Sequence, residues 1–555
     1  MAKHLIMRLL IIYITLCIFS CKNIPNKKSV NPVSTYNESI ELKANTEHEN
    51  PRMRYKLIQS KVLDKQKIWD TINAQIEGFS ESDYKELLPL ILEQDIMTIQ
   101  GHIMSGSLSY KQLTQWYLYR ILKYESDPTT SLHSIISINP KAVDQAIEKD
   151  KQKSQNHHPI YGIPILLKDN INTEDMPTTA GAIVLQNNQT GDAEIVRSVK
   201  EKGGIILAKV NLSEWAYYFC SGCPLGYSAV GGQTLNPYGR KIYETGGSSA
   251  GSGTTMAANY AAAAIGTETS GSILSPSSQN SVVGLKPTIG LVSGVGVVPI
   301  SSTLDTPGPM TRNVSDNAIL LSAIAEAYKA NPNTKDIPRP LKYHKGLDKD
   351  YINGLRLGVI QNYLEDSLYS IAVNDLKKLG AEIIEYEPES ISLDQFRTFL
   401  NADMQRDFPK YMNSYTGPEV QVRTVKDVVE FNKQDTLIRA PYGQALFEGV
   451  VAEDISDEEF DQLKKKYKAL GQEYFNTPMD NLKLDAIVSI NNYNAGQAAM
   501  AMYPAITVPM GYESNGEPKS LTFIAKSMEE QKLIKIAYAY EQATHRRSIP
   551  TDYKN

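Results

Sequence analysis

Two glycine- and serine-rich runs carry the densest chemistry in the chain: Thr245 to Gly253 (TGGSSAGSG) and Gly266 to Ser272 (GTETSGS). Glycine tolerates backbone conformations that other residues resist and lets the main chain approach a ligand closely. As turns flanking one helix, these runs would bring two serines and several free backbone N–H groups into one pocket. Plain turns have the same composition, so composition alone leaves the function open. Neither run contains the G-x-x-x-x-G-K-[ST] or G-x-G-x-x-G pattern of a phosphate cradle, which argues against a nucleotide site. Gly247 to Gly251 fits G-x-S-x-G, which would place Ser249 on a nucleophile elbow. That arrangement needs an acid and then a histidine downstream. Only His344 and His545 lie there, neither in a distinctive loop.

A serine nucleophile without a histidine needs another base. Lysine serves if it is neutral at working pH, which requires its pKa to fall by several units from about 10.4. Burial and a neighbouring cation lower it, and a nearby carboxylate opposes them. Lys168 directly follows the apolar run Ile163 to Leu167 (IPILL), where a lysine is unexpected. Taken alone, it reads as a strand-end lysine that snorkels to water and pairs with Asp169. Of the four cysteines, Cys220 and Cys223 form a C-x-x-C followed at once by Pro224 and Gly226. That reads as a loop holding a local disulfide or two idle thiols, not as a redox motif at a helix N-terminus. A metal site would need two further ligands, and no His or Cys pair lies nearby.

The elements that must position these residues alternate in type. Residues 53–130 read as a helical region, in which Ser109 and Gln112 form a capping box. Leu113, Trp116, Tyr117, Ile121 and Tyr124 then share one helical face. Ile163 to Leu167 and Gly204 to Val210 read as strands, Ala193 to Lys202 as a helix, and Thr254 to Ala264 as an alanine-rich helix ahead of a turn at Gly266 to Gly271. Leu355 to Ile360, Ala381 to Tyr386, Ala486 to Ile490 and Ala505 to Pro509 read as further strands, with a helix at Ile371 to Leu379. The alternation predicts an α/β fold, a sheet covered by helices. Residues 400–480 are more polar and helix-rich, as an inserted layer would be, and residues 131–555 read as one catalytic domain.

With 555 residues, 41% of them hydrophobic and 21% charged, the chain has ordinary globular composition. A net charge of −5 and the lack of basic runs with interleaved aromatics argue against a nucleic-acid partner. At the N-terminus, Lys3 and Arg8 precede the apolar run Leu9 to Phe19. That run is short against the roughly 20 residues a membrane span needs, and it suits a signal peptide. Ile18-Phe19-Ser20-Cys21 is similar to a bacterial lipobox, so residues 1–21 read as a lipoprotein signal with Cys21 as the lipidation site. Residues 22–52, rich in Asn, Ser, Lys, Pro and Glu, read as a flexible tether. The expected setting is an exported, membrane-anchored protein in the periplasm or on the cell surface.

Three ordered motifs then carry a resemblance. Gly162 to Asn170 (GIPILLKDN), Gly246 to Ser252 (GGSSAGS) and Gly266 to Ile273 (GTETSGSI) resemble the amidase signature family. Gly203 to Glu214, Val282 to Thr288, Leu304 to Met310 and Tyr503 to Gly511 extend the match. It covers roughly 96–320 and 484–550 and is vague between 345 and 480. Thr267 to Ser272 and Gly290 to Pro309 look most like the bacterial peptide amidases. The resemblance implies a large mixed, twisted β-sheet covered on both faces by helices. It implies a catalytic triad of Lys168, Ser248 and Ser272, with Ser272 as nucleophile, Ser248 as bridge and Lys168 as general base. It also implies a cis Gly247–Ser248 peptide, an oxyanion hole from the N–H groups of Thr269, Ser270, Gly271 and Ser272, and no cofactor or metal.

Two departures from the family stand out. Ser270-Gly271 replaces two glycines, which is tolerable if Ser270 is not at positive φ. Leu274 stands where many relatives carry an arginine, which suggests a more neutral or apolar group near the scissile amide. The function implied is hydrolysis of linear carboxamides, peptide C-terminal amides above all, to carboxylate and ammonia. The glutaminase subunit of a tRNA-dependent amidotransferase shares the signature, but the export segment argues against it. A ligand-binding lipoprotein on an inactive amidase fold is the third reading.

Overall fold

The computed structural model describes residues 37–154, 156–325 and 342–555. The expected signal peptide 1–21 with Cys21, and the first part of the 22–52 tether, lie outside them. In chain order the strands are β1 (Ile135–Ile138), β2 (Pro164–Lys168), β3 (Ile205–Val210), β4 (Tyr227–Ser228), β5 (Gly232–Gln233), β6 (Ala263–Glu268), β7 (Val283–Lys286), β8 (Thr306–Thr311), β9 (Arg356–Ile360), β10 (Glu382–Tyr386), β11 (Ala486–Ile490), β12 (Ala505–Tyr512) and β13 (Pro518–Ile524). Among the described residues, β4 and β5 pair only with each other. The other eleven form one sheet in the order β1-β3-β2-β6-β8-β7-β12-β13-β11-β9-β10. It is mixed: β2 runs parallel to β3 and β6, β9 parallel to β10 and β11, and the remaining pairs are antiparallel. Helices cover it.

β2, β3 and β6 are buried at every position because parallel neighbours and overlying helices leave neither face to water. This explains why IPILL reads as a continuous apolar run and not as an alternating one. The alanine-rich stretch is corrected. The helix is Ala250–Ala257, Asn259 turns the chain at φ 59°, and Ala263–Glu268 is strand β6, not the end of a helix and a turn. Alanine favours helices, but here the small side chains let β6 fit between β2 and β8. A Cβ added at Gly266 would already stand 2.7 Å from Met310 Sδ and 2.9 Å from Ser249 Oγ.

The helices Lys65–Gln75, Glu81–Ile91, Ile96–Ser105 and Tyr110–Glu125 form the N-terminal layer. In the last of these the Ser109/Gln112 capping box is present, and Leu113, Trp116, Tyr117, Ile121 and Tyr124 are buried. Residues 396–481 contribute the helices Phe396–Ser414, Val425–Lys433, Thr436–Arg439, Ala445–Ala452 and Asp457–Asn481. They share an apolar cluster with Trp215, Phe219, Cys220 and Cys223, so this layer packs on the loop after β3.

The tether reading is corrected from residue 37 onward. Asn37 caps a helix, Glu38–Ala44, through Ser39 N–H. Asn45 Nδ2 donates to Met53 O at 2.9 Å and Lys241 O at 3.0 Å, and Glu38 Oε2 accepts from the backbone N–H of Ile58 and Gln59. Lys241 pairs with Glu41 and Arg52 with Glu244. Few apolar residues are needed because polar anchors fix this segment to the body.

Candidate active site

Lys168 is the last residue of β2, and Thr267 lies near the end of the adjacent parallel strand β6. Carboxyl ends of parallel strands are where open α/β sheets place their ligands. Lys168 is fully buried, and its Nζ donates to Ser248 Oγ at 2.7 Å, Thr267 Oγ1 at 2.8 Å and Thr267 O at 3.1 Å. Burial draws its pKa down to about 7, against the opposing charges of Asp305 and Glu268. Burial also raises both of those carboxyls, Asp305 to about 7, which weakens the opposition near neutrality. Lys168 does not pair with Asp169. Successive strand side chains point to opposite faces, and Asp169 accepts instead from Lys209 at 3.0 Å and from Thr179 Oγ1.

The Gly247–Ser248 peptide is cis. Gly246 sits at φ 62°, and a Cβ there would meet the Pro276 backbone at 2.7 Å, so the turn lies directly on the helix Leu274–Gln279 that follows Ser272. Ser249 N–H donates to Ser272 O at 3.1 Å, tying the two serine-rich runs together. Ser249 itself is not an exposed elbow nucleophile. It is fully buried, and its Oγ donates to Thr267 O and accepts from Thr267 N–H. His344 hydrogen-bonds Ser322 Oγ, and neither it nor His545 lines the cavity described next.

Ser272 opens on a cavity of about 430 Å³ whose walls include Arg52, Tyr217, Asn491, Tyr493 and Lys519. Gly271 is at φ 107° and Ser270 is not at positive φ, which accommodates Ser270-Gly271 in place of two glycines. Thr269, Ser270 and Ser272 N–H groups meet no protein acceptor among the described residues. The Gly271 N–H leans towards the Glu268 carboxylate, which also accepts from Ile273 at 2.6 Å and Leu274 at 2.9 Å. Glu268 therefore holds the loop that bears Ser272, a role the sequence reading missed. Asp305 holds its other side, accepting from Thr269 Oγ1 at 2.5 Å and from the N–H groups of Ile300 and Ser301.

Leu274 does not face this cavity. It is buried among Tyr474, Phe475 and Met479, so its replacement of arginine says nothing about the group beside the reacting amide. A second cavity, of about 840 Å³, shares Ala216, Thr269 and Ile300 with the first.

The family model described as Amidase matches residues 112–489. The chain belongs to the amidase family. A probable amidase of Arabidopsis thaliana is 35% identical over 480 residues, covering 83% of this chain and 92% of its own. The crystal structure of an amidase family protein from Bacillus anthracis superposes with a TM-score of 0.83 at 35% identity, covering 89% of this chain and 99% of that one. Native peptide amidase from Stenotrophomonas maltophilia superposes at 0.77 and 35% identity, covering 83% and 98%. The mixed sheet with covering helices is the fold of this family, and the protein is a hydrolase acting on amide bonds.

One wall of this amidase's site is unusual. Trp215, Ala216 and Tyr217 are all left-handed, at φ 50°, 55° and 76°. Non-glycine residues there cost about 1–2 kcal/mol each. Trp215 is wedged against Phe408 and Phe447, Tyr217 OH donates to Cys223 O at 2.9 Å, and Cys220 and Cys223 form a disulfide. Replacing both cysteines by serine is expected to lower stability by roughly 2 kcal/mol, the loop-closure value for so short a link. It should also raise KM, because Ala216, Tyr217 and Tyr218 line the cavity. Thermal melting and steady-state kinetics check the two effects separately.

Proposed function

We propose that this amidase hydrolyses linear carboxamides, peptide C-terminal amides above all, to carboxylate and ammonia through an acyl-enzyme on Ser272. The observation that carries the reading is the 2.7 Å contact between fully buried Lys168 and Ser248, beside a cavity that exposes Ser272. Neutral Lys168 accepts the Ser248 hydroxyl proton while Ser248 takes the proton of Ser272. Ser272 Oγ then bonds to the amide carbon. Charge growing on the carbonyl oxygen is met by the free N–H groups of Thr269, Ser270 and Ser272, each such donor being worth roughly 3 kcal/mol. As the C–N bond breaks, the proton returns from Lys168 through Ser248 to the leaving nitrogen, and ammonia departs. Water, deprotonated by the same relay, then releases the acid.

The peptide-amide preference is supported by 35% identity to peptide amidase over most of both chains. Matched amidated and free-acid peptides test it. Ammonia should be released only from the amides, with a one-dalton gain in peptide mass. Turnover of small amides with no peptide amide hydrolysed would overturn the substrate assignment and leave amide hydrolysis standing.

We further propose that the enzyme works outside the cytosol on a lipid anchor at Cys21. The signal-like N-terminus supports this, and the Cys220–Cys223 disulfide suits an oxidising compartment. Fatty-acid labelling of whole cells should mark the wild type and miss Cys21→Ala. Equal labelling of both contradicts it.

A further inference from the structure

The cavity that holds Ser272 is lined by four charged side chains, Arg52, Glu244, Glu517 and Lys519. Three of them already have ion-pair partners. Arg52 Nη2 donates to Glu244 Oε2 at 2.7 Å. Lys519 Nζ lies 2.7 Å from Asp366 Oδ2 and 2.7 Å from Glu513 Oε1. The Glu517 carboxylate has no hydrogen bond or ion pair among the described residues. Its backbone is nevertheless fixed. Glu517 N–H donates to Asn515 Oδ1 at 3.0 Å, and its carbonyl accepts from Glu513 N–H at 2.9 Å, closing the turn between β12 and β13.

The charges lining the cavity balance, Arg52 and Lys519 against Glu244 and Glu517. Asp366 and Glu513, which do not line the cavity, both hold Lys519, and Glu244 holds Arg52, so Glu517 is the lining charge left without an ion-pair partner among the described residues. A further anion placed there would find both cations engaged. Burial raises the Glu517 carboxyl, Lys519 as its strongest charged neighbour opposes this, and Glu513 and Glu244 add to the rise, so this carboxylate gains from an added positive charge. Tyr217, Tyr218 and Tyr493 line the same cavity, the last of them 53% exposed. Aromatic faces attract cations.

We propose that Glu517 is a specificity-determining residue of the Ser272 cavity, and that it binds a cationic group, an ammonium or guanidinium, carried by the amide substrate. This rests on the amide-hydrolase reading of the cavity and narrows the substrate to basic amides. Among peptide amides it favours those with a lysyl or arginyl side chain, or a free α-amine, placed to reach Glu517.

Two measurements separate this proposal from the reading beneath it. Ammonia release from Nα-acetyl-lysinamide and from its uncharged near-isostere Nα-acetyl-norleucinamide tests whether the chain is an amidase for such compounds. Calorimetric titration of the Ser272→Ala protein with the same two compounds tests Glu517 without requiring turnover. The lysyl compound should bind about fivefold more tightly than the norleucyl one at low salt, the order expected of a half-buried ion pair. Adding Glu517→Gln should abolish that preference, Glu517→Asp should restore part of it, and Glu517→Lys should invert it. Equal affinities in the parent protein, binding of neither compound, or a preference that survives Glu517→Gln would overturn the proposal. Hydrolysis of both amides without charge preference would overturn it while leaving the amidase reading intact.

Discussion

Ser272→Ala is expected to lower ammonia release from the best amide substrate by about four orders of magnitude or more, with the fold and substrate affinity retained. Ser272 is part-exposed on the cavity, and its hydroxyl has no hydrogen-bond partner among the described residues, so removing it leaves no buried group unsatisfied. Ser249→Ala is the matched control. Its hydroxyl both donates to and accepts from Thr267, and its loss should cost about 1 kcal/mol of stability. Activity should change far less than in Ser272→Ala. Stopped assays on purified proteins, with melting curves for both, distinguish lost chemistry from lost fold. If Ser249→Ala were the dead variant, the sequence pattern G-x-S-x-G would have named the nucleophile after all.

Lys168→Met should likewise lower the rate, by about 10³-fold or more, and should make the protein more stable. Burial holds the Lys168 pKa near 7, below its ordinary 10.5. Below about pH 7 the group is charged in both folded and unfolded chains, so the full penalty of burying a charge is present. Between about 7 and 10.5 only the unfolded chain keeps the proton, so this group's contribution to stability rises with pH and the penalty fades. Lys168→Met removes the penalty altogether. The expected gain is on the order of 1–3 kcal/mol at neutral or lower pH, shrinking towards pH 10, after the lost hydrogen bonds to Ser248 and Thr267 are counted. The same pKa sets the wild-type rate profile. A neutral base is required, so kcat/KM should fall about tenfold per pH unit below about 7 and level off above it. Denaturant titration across pH and initial rates across pH read the two effects.

Much of this site can be read from the chain because its motifs are short, local and tied to strand ends. The apolar run before Lys168 betrays a doubly covered strand, and a lysine closing such a run has no easy route to water. Read alone, Lys168 is expected to reach water and to pair with Asp169, and it does neither, being buried against Ser248 and Thr267. Asp169 faces the other way and is held by Lys209, a pairing across neighbouring strands that no local pattern announces. The alanines at 261–264 read as helix because intrinsic propensity was the only signal, and packing between β2 and β8 overrode it.

Leu274 misled for a related reason. Its position two residues from Ser272 suggests proximity to substrate, but the helix that starts there turns its side chain into the core. Arg52, Glu244, Glu517 and Lys519 were missed altogether. They are brought together by the docking of residues 37–53 and by the turn between β12 and β13, and composition alone had assigned Arg52 to a tether. A carboxylate at 268 that organises the N–H groups of Gly271, Ile273 and Leu274 on either side of Ser272 was legible in principle, since Glu268 lies within the same motif.

The most direct test of the central claim is the site and rate of labelling by a fluorophosphonate, which reacts only with an activated serine, read by peptide mass spectrometry. The expected result is a single adduct on the peptide containing Ser272, absent in Ser272→Ala and slowed by about 10²-fold or more in Lys168→Met. An adduct on Ser249, or undiminished labelling in Lys168→Met, would contradict a Ser272 nucleophile driven by Lys168.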